Sequence, residues 1–476
     1  MLSTHVPLRH ASPADGSLKL FVRWFPAETV ERRGEVWLLA GGPGESGASL
    51  YPVVATFRRA FPGYDLVIPD HRGVGRSERI CPVQEAADSA DGVALAGDEW
   101  GGCIGAMYAD AARTQAFSVT EAAQDLALLM SRYRGSGPTY LYGVSYGTQL
   151  ALRALQVAPM PLDGLILDGL VPLETTEQWD LSRRTALVDA VGRAVLGEQK
   201  VAVYQRVLAA APAARWRGEV PGGDLRRLLG SLLNFPALRA RIPDIVDGLA
   251  VDDTSVLLAT VAELKTAMAG MGQGGNNQPS LPLVMLISAS ENNARPGLTR
   301  DIVEQEAAGA LFVSAIPGFL VGAPVPAYAK DAWFGKSPGA LPRTLVVHGT
   351  LDPNTAYAGA VEHAAVLGKA GEVSFSTVEG GAHLLSYFAP GCFVEAVGVF
   401  VAGGEVGGVL SGEVALGFTA EFGWGVGGMG LLPSLCPHPN PSPAGGRGAL
   451  SCGLWLSGDL TLCCALLAYR QRWFQR

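Results

Sequence analysis

Thr139-Tyr140-Leu141-Tyr142-Gly143-Val144-Ser145-Tyr146-Gly147 decides the reading of this chain. A short apolar run enters a Gly-x-Ser-x-Gly turn, and residues 148–157 continue at helical spacing. Strand, sharp turn and helix is the setting of a nucleophile elbow. Such a turn strains its central residue, and the positions two away must be small because a side chain there would strike the neighbouring strand or helix. The strain lifts the Ser145 hydroxyl clear of a sheet and leaves the next backbone N–H free. A Gly-rich turn with an incidental serine has the same pattern, so the weight falls on what the rest of the chain supplies.

Around the elbow, strand and helix signals alternate. Residues 18–25, 35–40, 64–69 and 162–167 read as strands, and 49–60 and 118–133 as helices. The second helix carries Ala122, Leu126, Leu129 and Met130 at helical spacing, with Ser118 or Thr120 as its N-cap. The alternation predicts an α/β fold, a mostly parallel sheet covered on both faces. From about residue 174 to 337 the chain turns helical and rich in Ala, Leu and Arg (181–195, 201–211, 224–233, 254–271), divided by a Gly/Asn/Pro-rich linker at 272–282. Helices inserted between strands read most simply as a lid over the strand C-termini. Strands resume at 343–347 and 373–378, with helices near 354–367 and 384–401. The expected organisation is a core in two parts, 1–171 and 341–404, a helical cap at 172–340, and a low-complexity tail at 405–476. The tail holds Cys436-Pro-His-Pro-Asn-Pro-Ser-Pro-Ala-Gly-Gly-Arg-Gly448, which resembles translated intergenic repeat sequence. A reading frame that runs on, or shifts, after a natural end near Gly404 is expected.

Composition narrows the function. Charged residues are 17% and hydrophobic residues 48% of the chain, which suits a globular protein and excludes a disordered one. A net charge of -8 argues against nucleic acid or an anionic membrane as the main partner. Residues 1–15 hold no apolar stretch, so no secretory signal is read and a cytoplasmic location is expected. The best candidate for a span, 454–468, is short and contains Asp459. No Cys-x-x-Cys occurs and the cysteines lack metal-ligand spacing, so no metal is expected. Cys81 and Cys103 pair if the compartment is oxidising and stay thiols if it is reducing.

An activated serine needs a base, and the base needs an orienting acid. The chain supplies both, after the serine and in the order acid then base. Leu345-Val346-Val347-His348-Gly349-Thr350-Leu351-Asp352-Pro353 is a strand ending in a turn that carries Asp352. Asp beside Pro also serves as a turn or helix cap. Glu379-Gly380-Gly381-Ala382-His383 follows the last strand. Among the other histidines, His5, His10 and His438 lie in termini, His71 and His348 precede the acid, and His363 is mid-helix. His383 is therefore the expected base. Ala40-Gly41-Gly42-Pro43-Gly44-Glu45-Ser46-Gly47 reads as an oxyanion loop. Its donors would be the N–H of Tyr146 and that of Gly42, with Gly41 as the alternative, since Pro43 has no N–H. The loop lacks the Lys-Ser/Thr ending of a phosphate-binding P-loop. Asp70-His71-Arg72-Gly73-Val74-Gly75-Arg76-Ser77 follows the next strand, where its charged residues would brace that loop.

Together, GGPGESG, DHRGVGRS, GVSYG, GTLDPNT and GGAH resemble the α/β-hydrolase superfamily, and within it the proline iminopeptidase and tripeptidyl aminopeptidase group. The resemblance covers roughly residues 18–404. It implies an eight-stranded, mostly parallel sheet with a helical cap between the sixth and seventh strands. It further implies Ser145, Asp352 and His383 as nucleophile, acid and base, no cofactor, and removal of residues from peptide N-termini. That reaction needs carboxylates for the substrate's ammonium, usually from the cap. Glu291, in Ile287-Ser288-Ala289-Ser290-Glu291-Asn292, is the candidate the resemblance offers, with Glu174 and Glu177 as others. The Cys81 and Cys103 positions resemble family cysteines that pair in exported members. Ala40 stands where many members carry His, which shifts the resemblance toward the tripeptidyl type. The expected partner is a peptide or small acyl substrate. A carboxylesterase on small esters and a non-catalytic binding protein on the same fold are the competing readings. An epoxide hydrolase or dehalogenase would need Asp in place of Ser145.

Overall fold

The structure, a computed structural model, describes residues 1–89, 95, 97–271 and 278–410. Its strands are β1 (Leu2–Pro7), β2 (Ser17–Phe25), β3 (Gly34–Leu39), β4 (Tyr64–Asp70), β5 (Thr139–Val144), β6 (Gly164–Asp168), β7 (Thr344–Gly349), β8 (Val373–Val378) and β9 (Gly408–Leu410). They form one sheet in the order β1-β2-β4-β3-β5-β6-β7-β8-β9. Only the β1–β2 and β2–β4 pairs are antiparallel. Every residue of β3 to β7 is buried, which is why these strands read as unbroken apolar runs.

Helices cover both faces. Phe57 of the helix Val54–Ala60 and Phe393 and Phe400 of the helix Pro390–Val401 pack on one face around Tyr142. Leu126 and Leu129 of the helix Val119–Tyr133, and Leu150 and Ala154 of the helix Tyr146–Val157, pack on the other against Trp37 and Leu141. Ser118 caps its helix by accepting from the Glu121 N–H. Two expected helices are broken. Residues 47–53 form a 3-10 turn containing Pro52 ahead of Val54–Ala60. The last helix splits at Ala389, because Pro390 lacks an N–H and disfavours helical geometry in the residue before it.

Between β6 and β7 the chain is helical and has a core of its own, built around Tyr204, Trp216, Leu229, Ile242, Val246 and Phe312. Phe388, which follows β8, joins that core. The insertion therefore sits against the segment that follows His383.

The sheet has nine strands among the described residues, one more than expected. β9 lies beyond Gly404 and pairs in parallel with β8, so the sheet includes residues past 404. Residues 411–476, with Cys436, Cys452, Cys463, Cys464 and the span candidate, lie outside the described residues, as does most of the linker at 272–277. Cys81 and Cys103 form a disulfide, and Cys392 is a buried cysteine outside it. Among the described residues no helix is long and apolar enough to cross a membrane.

Candidate active site

The carboxyl ends of the parallel strands carry the site, as expected for an open α/β sheet. Ser145 follows β5 with φ 56° and ψ −123°, a strained conformation for a residue with a side chain. The turn is pinned on both sides. The Ser145 N–H donates to the Asp168 carbonyl at 2.9 Å, and the Thr148 N–H and hydroxyl donate to the Ser145 carbonyl at 2.8 and 2.7 Å. A Cβ on Gly143 would lie 2.3 Å from the Gly147 carbonyl, and one on Gly147 2.7 Å from the Leu39 and Ala40 carbonyls. Both glycines are thus required by close backbone contact.

Asp352 follows β7 and His383 follows β8. His383 Nδ1 donates to Asp352 Oδ2 at 2.7 Å. The same oxygen accepts from the Thr355 hydroxyl at 2.7 Å, while Oδ1 accepts from the Asn354 and Thr355 N–H groups at 2.7 and 2.8 Å. Burial alone would raise the Asp352 carboxyl, but the charge and hydrogen bond of His383 hold it well below the ordinary carboxylate range. Burial alone would lower His383, but Asp352, aided by the charge of Asp168, raises it above its ordinary value. With Nδ1 committed, Nε2 is the nitrogen left to exchange a proton. The Ser145 hydroxyl has no hydrogen-bond partner among the described residues, and it lines the same cavity as His383.

The loop after β3 shapes the opposite wall. Gly42 has φ 116°, and a Cβ there would meet the Gly44 and Glu45 nitrogens at 2.7 and 2.9 Å. The N–H groups of Gly42 and Tyr146 meet no acceptor among the described residues. Asp70 braces this loop. Its Oδ1 accepts from the Ser46 hydroxyl at 2.9 Å and the Gly47 N–H at 2.7 Å, and its Oδ2 from the Arg76 N–H at 2.8 Å. A second brace comes from the insertion. The Ser280 N–H donates to the Gly44 carbonyl at 2.9 Å, and the Ser280 hydroxyl donates to Glu85 at 2.5 Å. Glu85 in turn pairs with Arg79 at 3.3 Å and accepts from the Cys81 N–H at 3.0 Å, so this brace reaches the disulfide.

The cavity holds about 190 Å3 and is walled by Gly41, Gly42, Glu45, Ser145, Tyr146 and His383 on the sheet side. Trp179, Phe235, Phe319 and Phe388 make much of it apolar. Glu291, the expected ammonium-binding residue, does not line it. Glu291 is 2% exposed and bound to Arg153 at 3.2 Å, Gln149 at 3.2 Å and the Tyr328 hydroxyl at 2.9 Å. Glu174 shares the Arg153 guanidinium at 2.9 Å, and Glu177 is an exposed partner of Arg183. Two residues were missed in the sequence. Glu45, within the oxyanion loop, is the carboxylate side chain in the cavity wall. Asp168, at the end of β6, accepts from the Tyr142 hydroxyl at 2.8 Å and from the Leu385 and Ser386 N–H groups at 3.2 Å, fixing the chain just after His383. A strand ending in Asp was the available signal for Asp168. The apolar run was read only to Leu167. Among the described residues no group of His, Cys, Asp and Glu is placed to hold a metal ion.

Residues 36–195 match the family model described as alpha/beta hydrolase fold. No curated protein matches. Solved structures similar to the chain include a proline iminopeptidase of Mycobacterium smegmatis (14% identity, 84% of this chain and 98% of that one, TM-score 0.40). Others are an esterase of Thermogutta terrifontis (14%, 85% and 99%, TM-score 0.36) and an epoxide hydrolase of Vigna radiata (15%, 84% and 98%, TM-score 0.37). Their activities differ from one another, so they do not select a reaction. The parallel sheet and the elbow after β5 agree with the match of residues 36–195 to the alpha/beta hydrolase fold.

Proposed function

We propose that the chain is a serine hydrolase that removes residues from peptide N-termini through an acyl-enzyme. The observation that supports the chemistry is the 2.7 Å bond between His383 and Asp352 in the cavity that also holds the Ser145 hydroxyl. In this reading Ser145 Oγ attacks the scissile carbonyl carbon while His383 Nε2 takes its proton, and Asp352 stabilises the resulting imidazolium. The Gly42 and Tyr146 N–H groups receive the negative oxygen, each contributing roughly 10²–10³ in rate. His383 then gives its proton to the departing amine, and water releases the acyl group by the same steps in reverse order. Preference for a free amino terminus rests on the motif resemblance.

A carboxylesterase is the second reading, favoured by the apolar cavity wall and by the engagement of Glu174 and Glu291 with Arg153. The Cys81–Cys103 bond favours an oxidising compartment over the cytoplasm. Fluorophosphonate labelling lost in Ser145→Ala tests the nucleophile. Wild-type protein that takes no label would favour a binding role. Aminoacyl-arylamides compared with p-nitrophenyl esters separate the two enzymes, and N-acetylated substrates cleaved as fast as free amines would overturn the aminopeptidase.

A further inference from the structure

Glu45 is a carboxylate in the wrong place for a site built only to stabilise negative charge. It sits in the loop that supplies the Gly42 N–H, and it faces the cavity. Its Oε2 would lie 3.7 Å from a Cβ on Gly41, and that same Cβ would lie 3.2 Å from Ser145 Cβ. The acid and the serine therefore flank one glycine. The Ser49 side chain lies beside Glu45, and the ionisable groups near it are His383 and Tyr387. Among the described residues no Lys or Arg pairs with it. A carboxylate removed from water without a cation is costly. Beside a developing oxyanion it also opposes the charge that the site must stabilise. Burial raises this carboxyl above its ordinary value, and a bound ligand that brings a positive group offsets both costs. Glu174 and Glu291, which share Arg153, do not line this cavity.

We infer that Glu45 receives the α-ammonium of the substrate, and that the residue bearing this ammonium is the one removed. The inference rests on the aminopeptidase reading and deepens it. Backbone dimensions place an amino-terminal nitrogen about 2.5 Å from the carbonyl carbon of its own residue, and an ammonium–carboxylate bond adds about 2.8 Å. A carboxylate one glycine away from the nucleophile matches that reach. In a tripeptidyl substrate the ammonium lies two residues further, about 7 Å beyond it along an extended chain, and would pass Glu45 by. The site thus suits single-residue removal, against the tripeptidyl type that Ala40 suggests by resemblance.

The experiment compares wild type with Glu45→Gln on four substrates: an aminoacyl-p-nitroanilide, its N-acetyl form, a tripeptidyl-p-nitroanilide and p-nitrophenyl acetate. In wild type the single-residue free amine is the best arylamide. In Glu45→Gln its kcat/KM falls at least tenfold, mainly through KM, while kcat/KM for the uncharged ester rises. Opposite movement of the two substrates is a signature that a merely structural role would not give, and fluorophosphonate labelling confirms that the variant's site is assembled. A fall in both substrates together overturns the inference, as does wild-type preference for the tripeptide. If free amines are cleaved and the ratio of amine to ester does not change in Glu45→Gln, this inference alone falls. If esters are cleaved and no arylamide is, the aminopeptidase reading falls and takes the inference with it.

Discussion

Asp352→Asn isolates what the acid does. The carboxylate accepts four hydrogen bonds, two on each oxygen. An asparagine that keeps its carbonyl toward the Asn354 and Thr355 N–H groups preserves the turn, so folding stability should drop by only about 1–2 kcal/mol. The amide NH2 then points at Thr355 Oγ1 and His383 Nδ1. The threonine hydroxyl can turn and accept. The imidazole can accept only by moving its proton to Nε2, which is the nitrogen that must take the serine proton. The expected loss in kcat/KM is about 10³–10⁴, or about 4–5.5 kcal/mol of transition-state stabilisation. The pH profile should change as well. His383 is raised in the wild type by Asp352, so the acid limb of kcat/KM should lie above about 6.5. In the variant, burial acts without that opposition and the limb moves down. Stability gives a further check. Because the folded Asp352 is depressed, the stability it adds is present above about pH 4 and lost as pH falls below it. For His383 the sign is reversed: its contribution is full below about pH 6.5 and fades as pH climbs through its raised folded value. Ester hydrolysis, thermal melting and labelling rate measure all of this. A variant within tenfold of wild type at pH 8, with an unmoved limb, would refute the assignment of Asp352.

Gly42→Ala should lower kcat by roughly 10²–10³ with little change in KM, since its Cβ would displace the Gly44–Glu45 backbone and spoil one N–H donor; steady-state kinetics check it, and unchanged kcat would move the donor role to Gly41. Reducing Cys81–Cys103, which closes 22 residues of sequence, should cost about 3 kcal/mol in urea melts. A chain ended after Gly404 loses β9 and should melt lower than one ended after Leu410, as thermal melting would show.

The catalytic candidates were legible because each is fixed by its immediate neighbours. Ser145 needs two small residues at fixed offsets, and Asp352 and His383 sit in turns whose glycines and proline announce a strand end. The parallel core was legible for a similar reason, since buried strands must be apolar throughout. The Glu291–Arg153 pair was not legible, because its members are 138 residues apart and nothing local marks them. Glu45 was visible only as one letter of a glycine-rich motif, and the motif says nothing about which way a side chain faces. The outer strands were missed on grounds of length and exposure. β9 is three residues long, and β1 mixes exposed and part-buried polar and apolar residues, so neither carries an apolar run.

Ser280 ties the fate of the insertion to that of the chemistry. A protein engineer wishing to broaden the range of accepted molecules would be tempted to graft a foreign set of helices between β6 and β7. The graft would remove the group that holds the Gly44 carbonyl and that contacts Glu85. Chimeras of this kind should lose turnover before they gain new selectivity, unless the exchanged piece keeps a serine placed to meet the Gly44 carbonyl and Glu85.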